Sequence, residues 1–156
     1  MNRKVLILAA VLPAFASISA FSWGIGIQGG SDIANHGHGS GAITFKLDTI
    51  DLIFGVEIPS FDPFAIGVTA DYWFFNPTIA NPLRWYLGVG GFGSVFIGDN
   101  VGAFSLGARV PVGLNMFLAD FFEIYAQVAP GVQLAISNGV NPDFICPINL
   151  GLRFWF

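Results

Sequence analysis

His36 and His38, in the segment HGHGSG, are the two histidines of the chain, and a His-x-His pair can begin a metal site. Such a site needs three or four ligands in fixed geometry, whereas a glycine-rich stretch supplies a flexible polar tip, so no metal or other cofactor is expected. The lone cysteine, Cys146, cannot form an internal disulfide. It shares its parity with Ile148 and Leu150 and reads as a small hydrophobe rather than a reactive thiol. Isolated Gly-x-Gly pairs such as Gly88 and Gly90 lack the strand-turn-helix context of a nucleotide loop. What remains is ionic chemistry. Lys46, Arg84, Arg109 and Arg153 stand with Asp48, Asp51, Glu57, Asp71 and Glu123 inside segments that otherwise alternate apolar and small residues. Charges so placed either pair across an interior or line a narrow aqueous path.

The elements that would position them follow from composition. The 156 residues are 54% hydrophobic and only 10% charged, with 20 glycines and 17 phenylalanines, a balance that points to a membrane environment. A transmembrane helix needs about 18 to 20 nearly continuous apolar residues, and past the N-terminus every such window is interrupted by Gly, Pro, Asn, Gln or a charge. The other structure that satisfies all backbone groups in lipid is a closed β-barrel, whose strands hide half their hydropathy in alternation. Residues 1–20, MNRKVLILAAVLPAFASISA, read as a secretory signal peptide: Arg3 and Lys4, a short apolar core, then small residues. Cleavage is expected after Ala20, with Ala14-Phe15-Ala16 as a second site. Residues 21–156 are then the barrel. Their four cations face ten acids, a net charge near minus six that argues against a nucleic-acid partner.

Eight segments of period two recur between clusters of Gly, Pro, Asn and Asp. The first sets Phe21, Trp23, Ile25 and Ile27 against Ser22, Gly24, Gly26 and Gln28. The second opposes Ile43, Phe45 and Leu47 to Thr44, Lys46 and Asp48, and the third opposes Leu52, Phe54, Val56 and Ile58 to Asp51, Gly55 and Glu57. The fourth has Phe64 to Phe74 against Gly67, Thr69, Asp71 and Trp73. The fifth, from Arg84, shows Trp85, Leu87 and Val89 on the apolar face but loses phase from Gly93 to Phe96, where a bulge is expected. The sixth alternates Phe104 to Leu114 with Ser105 to Asn115. The seventh opposes Phe122, Ile124, Ala126 and Val128 to Glu123, Tyr125 and Gln127. The eighth runs from Cys146 to Phe156 with Asn149, Gly151, Arg153 and Trp155 on its other face. The expected fold is therefore all-β, an eight-stranded antiparallel up-and-down transmembrane β-barrel.

The sorting of charge decides its polarity. All nine charges named above fall on one parity and none on the continuous apolar parity. A soluble barrel would turn its charges outward. A membrane barrel turns them in, because a lipid-facing charge costs about 2 to 4 kcal/mol at mid-bilayer. With both termini on the periplasmic side, Phe21, Trp23, Tyr72, Phe74, Trp85, Phe122, Phe154 and Phe156 gather at one rim and Phe64, Phe96, Phe104 and Phe144 near the other, as two aromatic girdles. The surface loops are then 29–40, 59–63, 98–102 and 135–143, and Asp32, Asp62, Asp99 and Asp143 make that side mildly acidic.

The last eight residues, NLGLRFWF, resemble the C-terminal signal read by the outer-membrane barrel assembly machinery. Asn149 supplies the polar residue, Gly151 the glycine two positions on, and Phe154 and Phe156 the aromatic end. The stretches RWYLGVGGFG from Arg84, LGARVPVGLNMFL from Leu106 and EIYAQVAPGVQL from Glu123 look like strands five to seven of small barrels of the OmpA/OmpX and OmpW-like kind. The resemblance implies insertion by that machinery into the lipid of a bacterial outer membrane. No peptidoglycan-binding domain is expected after the barrel, so the resemblance does not imply the tethering role of full-length OmpA.

In an eight-stranded barrel the interior is about filled by side chains, so the inward charges are expected to form a paired plug, with Trp73, Tyr86, Tyr125 and Trp155 leaning over inward glycines. The leading expectation is a non-enzymatic envelope-structural or surface-interaction protein whose surface ligand is unknown. The alternative is a narrow channel for small solutes. More remote is lipid acyl transfer, since His36 with Asp32 and Ser40 could imitate the rim residues of the lipid A palmitoyltransferase barrel.

Overall fold

The structure, a computed structural model, describes residues 22–34, 39–61, 64–96, 104–136 and 139–156. The signal segment, Phe21, His36, His38, Asp62 and Asp99 lie outside the described residues, as does the loop expected at 98–102. Twelve strand segments make up the rest: β1 (Trp23–Asp32), β2 (Gly39–Leu47), β3 (Leu52–Ile58), β4 (Ala65–Phe75), β5 (Thr78–Ala80), β6 (Leu83–Phe96), β7 (Phe104–Arg109), β8 (Val112–Ala119), β9 (Phe122–Val128), β10 (Gly131–Ile136), β11 (Val140–Ile145) and β12 (Pro147–Trp155). They build eight staves. β7 with β8, β9 with β10 and β11 with β12 are each one stave interrupted near a proline, and β5 is a short return strand paired to the start of β6.

Neighbouring staves are antiparallel, and the ring closes. β1 pairs with β2 on one side and with β12 on the other, from Gly24↔Trp155 to Asp32↔Pro147. β6 pairs with β4 along one edge, while its other edge carries β8 near one end and β7 near the other. β9 then joins β8 to β12. Closure pairs each of the eight staves on both sides, which satisfies backbone N–H and C=O groups across strands, the condition for crossing lipid. The last residue takes part: the Phe156 N–H donates to the Trp23 carbonyl at 2.9 Å.

The interruptions fall at Val110-Pro111, Ala129-Pro130 and Cys146-Pro147, side by side on three adjacent staves. Proline cannot donate to a ladder, but each proline carbonyl here accepts from the next stave: Gly88 N–H to Pro111 O at 2.8 Å, Val110 N–H to Pro130 O at 2.9 Å and Ala129 N–H to Pro147 O at 2.9 Å. A crease in the wall therefore costs donors without opening a gap.

The period-two pattern holds along the staves. Inward Thr44, Lys46, Asp71, Trp73, Arg109, Asn115, Glu123 and Arg153 are buried, whereas outward Leu150 is 67% exposed and Ile27, Val68 and Val132 are each 61% exposed. The bulge expected late in the fifth strand is absent. The register of β6 on β4 runs unbroken from Tyr72↔Val89 to Ala65↔Phe96, and the irregularity lies at the other end, between Tyr72 and Phe75. The phase only looked lost because Gly91 and Gly93 take outward positions while Phe92 and Phe96 take inward ones. Phe96 consequently leaves the outer girdle and lines the lumen. Two loops are also shorter than the sequence suggests. β1 runs to Asp32 and β2 starts at Gly39, and β10 reaches Ile136 before β11 starts at Val140. Gly29, Gly30 and Ser31 disguise their strand because glycine has low β-propensity; Gly30 is needed there, since a side chain would strike the Ile148 carbonyl and Asn149.

At the end that carries the C-terminus, Trp23 stacks on Phe156 and Phe122 tilts against Phe154, each pair 5.0 Å between ring centroids. Phe75 meets Trp85 edge-on, also at 5.0 Å. Phe64, Phe104 and Phe144 stand exposed toward the other end. An outside that is apolar over its whole circumference, banded by aromatic rings, around an inside that holds the buried charges, is the surface of a barrel solvated by lipid.

Candidate lumen site

The inward residues of the eight staves meet in three layers. Nearest the terminus-bearing end, Glu123 of β9 is fully buried and collects three donors. Arg153 Nη1 donates to its Oε2 at 2.8 Å, Trp155 Nε1 to the same oxygen at 3.0 Å, and Asn115 Nδ2 to its Oε1 at 2.8 Å. Register explains the convergence, because Arg153 pairs directly with Glu123 across β12 and β9. Lys46 shares this layer, with Nζ 4.3 Å from the Trp73 ring centroid and 3.6 Å from an Asp51 oxygen. Arg153 also lies over the Tyr125 ring, 4.7 Å from its centroid. Two cations thus share one buried carboxylate, and aromatic faces supply the rest of the compensation.

The middle layer is aromatic and amide. Trp73 and Tyr86 stack at 3.6 Å and 11°. The Tyr86 hydroxyl donates to Gln127 Oε1 at 3.1 Å, and the Tyr125 hydroxyl donates to Gln28 Oε1 at 3.0 Å while lying 3.3 Å from Thr44 Oγ1. Each ring leans over the glycine paired to it on the neighbouring stave, Tyr125 over Gly151 and Tyr86 over Gly113, and so reaches a glutamine on the stave beyond. Gly151→Ala is therefore expected to cost about 1 to 3 kcal/mol as an overpacked site. Urea unfolding of the refolded barrel followed by tryptophan fluorescence measures this. In a Tyr125→Ala background the same substitution should cost much less, and an equal cost in both would show that the ring is not what Gly151 accommodates.

The third layer faces the loops. Arg109 of β7 makes a two-pronged bond to Asp71, Nε to Oδ1 at 2.9 Å and Nη2 to Oδ2 at 2.8 Å. Glu57 sits 3.8 Å from Arg109 Nη1, beyond hydrogen-bonding distance. Ser94 and Ser105 hydroxyls are 2.7 Å apart above them. A cavity of about 170 Å³ opens here, lined among others by Gln28, Glu57, Phe92, Phe96, Arg109 and Asn149.

Of the nine charges read from the sequence, seven enter these layers: Lys46, Asp51, Glu57, Asp71, Arg109, Glu123 and Arg153. Two do not. Asp48 is exposed in the turn after β2, and Arg84 is half-buried at the rim, where its Nε and Nη2 donate to the Asn76 carbonyl at 3.2 and 2.6 Å. Both keep the inward parity but sit at the rim, Asp48 one residue past the end of β2 and Arg84 at the second residue of β6. In the terminal motif Asn149 and Gly151 face the lumen, and Phe154 and Phe156 face out. The sequence reading passed over Phe92 and Phe96 as lumen residues. Counting parity straight through Gly91 and Gly93 is the signal that finds them.

Chemically, the layers fill the lumen with paired polar and aromatic side chains. Hydrogen bonds and ion pairs tie adjacent and next-but-one staves together at each level, and the cavity at the loop end lies beside the Arg109–Asp71 pair. No family model and no curated protein matches the chain. Among solved structures it is similar to Neisserial surface protein A, at 18% identity over 87% of this chain and 97% of that one, with a TM-score of 0.49. It is similar also to the N-terminal β-barrel domain of Pseudomonas aeruginosa OprF, at 18% identity over 86% and 97% with a TM-score of 0.48. A major outer membrane protein from Thermus thermophilus matches at 9% identity over 87% and 99%, with a TM-score of 0.46.

Proposed function

We propose that the chain is a non-enzymatic integral protein of a bacterial outer membrane, closed to solutes, with an envelope-structural or surface-interaction role. The observation that supports this reading is the packed lumen: Glu123 with its three donors, the tyrosines over their neighbouring glycines and the Arg109–Asp71 pair occupy it at three successive levels. An antiparallel barrel with an apolar exterior belongs to an outer membrane rather than a helix-spanned one. Asp32, a candidate in the acyl-transfer reading, accepts the backbone N–H of Ala34 and Cys146 at 2.9 Å each, the work of a strand-end cap. The terminal strand, with Asn149 and Gly151 inward and Phe154 and Phe156 outward, suits recognition by the barrel assembly machinery.

Planar-bilayer recording of the refolded protein tests the closed lumen. No reproducible conductance is expected, and Arg109→Ala should be equally silent, because the tyrosine and Glu123 layers remain below it. Stepwise single-channel currents from the unmodified barrel would replace this reading with that of a narrow solute channel.

A further inference from the structure

We infer that the cavity at the loop end of the lumen binds a small organic ammonium ion, with the Glu57 carboxylate as its counter-charge. The argument begins with unequal pairing. Arg109 spends both of its short charge-assisted bonds on Asp71, the geometry in which a guanidinium holds one carboxylate best. Glu57 is left at 3.8 Å, its side chain only 12% exposed, and it makes no hydrogen bond among the described residues. One cation thus faces two carboxylates in this layer. The nearest other cation on that wall is Lys46, opposite Ile53 of β3, four residues from Glu57 and so about 13 Å away along the strand. It is already engaged with Asp51 and the Trp73 ring. Arg153 is committed to Glu123. A nearly buried carboxylate held only by a 3.8 Å ion pair to a shared arginine is costly, and a cation in the cavity lowers that cost.

The lining chooses the kind of cation. Phe92 and Phe96 offer hydrocarbon walls whose ring faces attract positive charge, and Gln28, Ser94, Ser105 and Asn149 offer oxygens that accept from N–H donors. A divalent metal would want six or more oxygens with several carboxylates among them, which this layer does not assemble. An anion meets Glu57 and an arginine whose best donors are taken. The volume of about 170 Å³ is close to that of a cavity which admits one benzene, about 150 Å³, so the guest has only a few carbons.

Titration of the refolded full barrel in detergent with n-butylammonium chloride, followed by calorimetry, tests the proposal. Saturable one-site binding is expected, weakened at least tenfold (roughly 1.4 kcal/mol) in Glu57→Gln, while n-butanol and n-butyrate show no saturable site. Heat-modifiable gel mobility reports whether each variant has folded. Should Glu57→Gln fail to fold, Ala42→Leu serves instead. Ala42 lies directly opposite Glu57 in the β2–β3 register and lines the cavity, so the larger side chain should fill the space and abolish binding. Absence of saturable binding to the unmodified barrel overturns the proposal, and so does butylammonium affinity unchanged by either variant or matched by butyrate.

Discussion

Replacing Glu123 with alanine is expected to cost the folded barrel about 3 to 5 kcal/mol, the loss typical of removing one member of a buried ion pair. The carboxylate is fully buried and takes three donors, so its removal strands Arg153 Nη1, Asn115 Nδ2 and Trp155 Nε1 at once. It also leaves Lys46 and Arg153 as like charges near Trp73, 4.3 and 5.7 Å from its ring, with only the half-exposed Asp51 beside Lys46. The measurement is the urea midpoint of the refolded protein in lipid or detergent, read by tryptophan fluorescence. Glu123→Gln should fall between, since its single amide oxygen keeps an acceptor for either Asn115 or Trp155 but not for both, and not the charge. A cycle with Arg153→Met separates the pair from its surroundings. The double variant Glu123→Ala, Arg153→Met should lose less than the sum of the singles, with a coupling of about 0.5 to 3 kcal/mol. A Glu123→Ala barrel within 1 kcal/mol of wild type would mean that water reaches this layer and that the lower lumen is not sealed.

That the charges would turn inward was legible from parity alone, because lipid tolerates no exception on the outer face whereas the lumen accepts almost any side chain. The outer row of β12, Ile148, Leu150, Leu152 and Phe154, could be read off without ambiguity for that reason. Where the outer row itself carries glycine, as at Gly91 and Gly93, the constraint goes quiet, the alternation reads as a bulge and Phe96 as a member of the outer girdle. Partnership was less legible than direction. Arg153 finds Glu123, and Arg109 finds Asp71, through the register and stagger of staves, which depend on turn lengths far from the charges. Parity also says nothing about height along the barrel, so it does not separate Asp48 and Arg84, at the rim, from the charges deeper in the lumen. The proline crease shows the same limit. Pro111, Pro130 and Pro147 are visible in the sequence, but their alignment on three adjacent staves exists only once the register is set.

The second large effect is expected on the outside. Leu150→Arg places a charge on the most exposed of the outward residues of β12 that lie between the two rims, one residue from Gly151 and on the opposite face. In a bilayer this should cost about 2 to 4 kcal/mol if the position is near mid-depth, falling to about 0 to 1 kcal/mol near an interface. Were the barrel solvated by water, the same exposed substitution would lie within about 0.5 kcal/mol of neutral, so its sign and size separate the two environments. Unfolding in lipid vesicles, compared with Phe156→Arg at the rim, supplies the depth control. Phe156 is as exposed as Leu150, 68% against 67%, yet it sits among Trp23 and the terminal backbone, where a long cationic side chain reaches the headgroups. Equal exposure with unequal cost follows only if the band between the girdles is hydrocarbon. If both substitutions prove near neutral, the outward apolar rows must be covered by something other than lipid. The inward placement of Lys46, Asp71, Arg109, Glu123 and Arg153 would then have lost its physical cause.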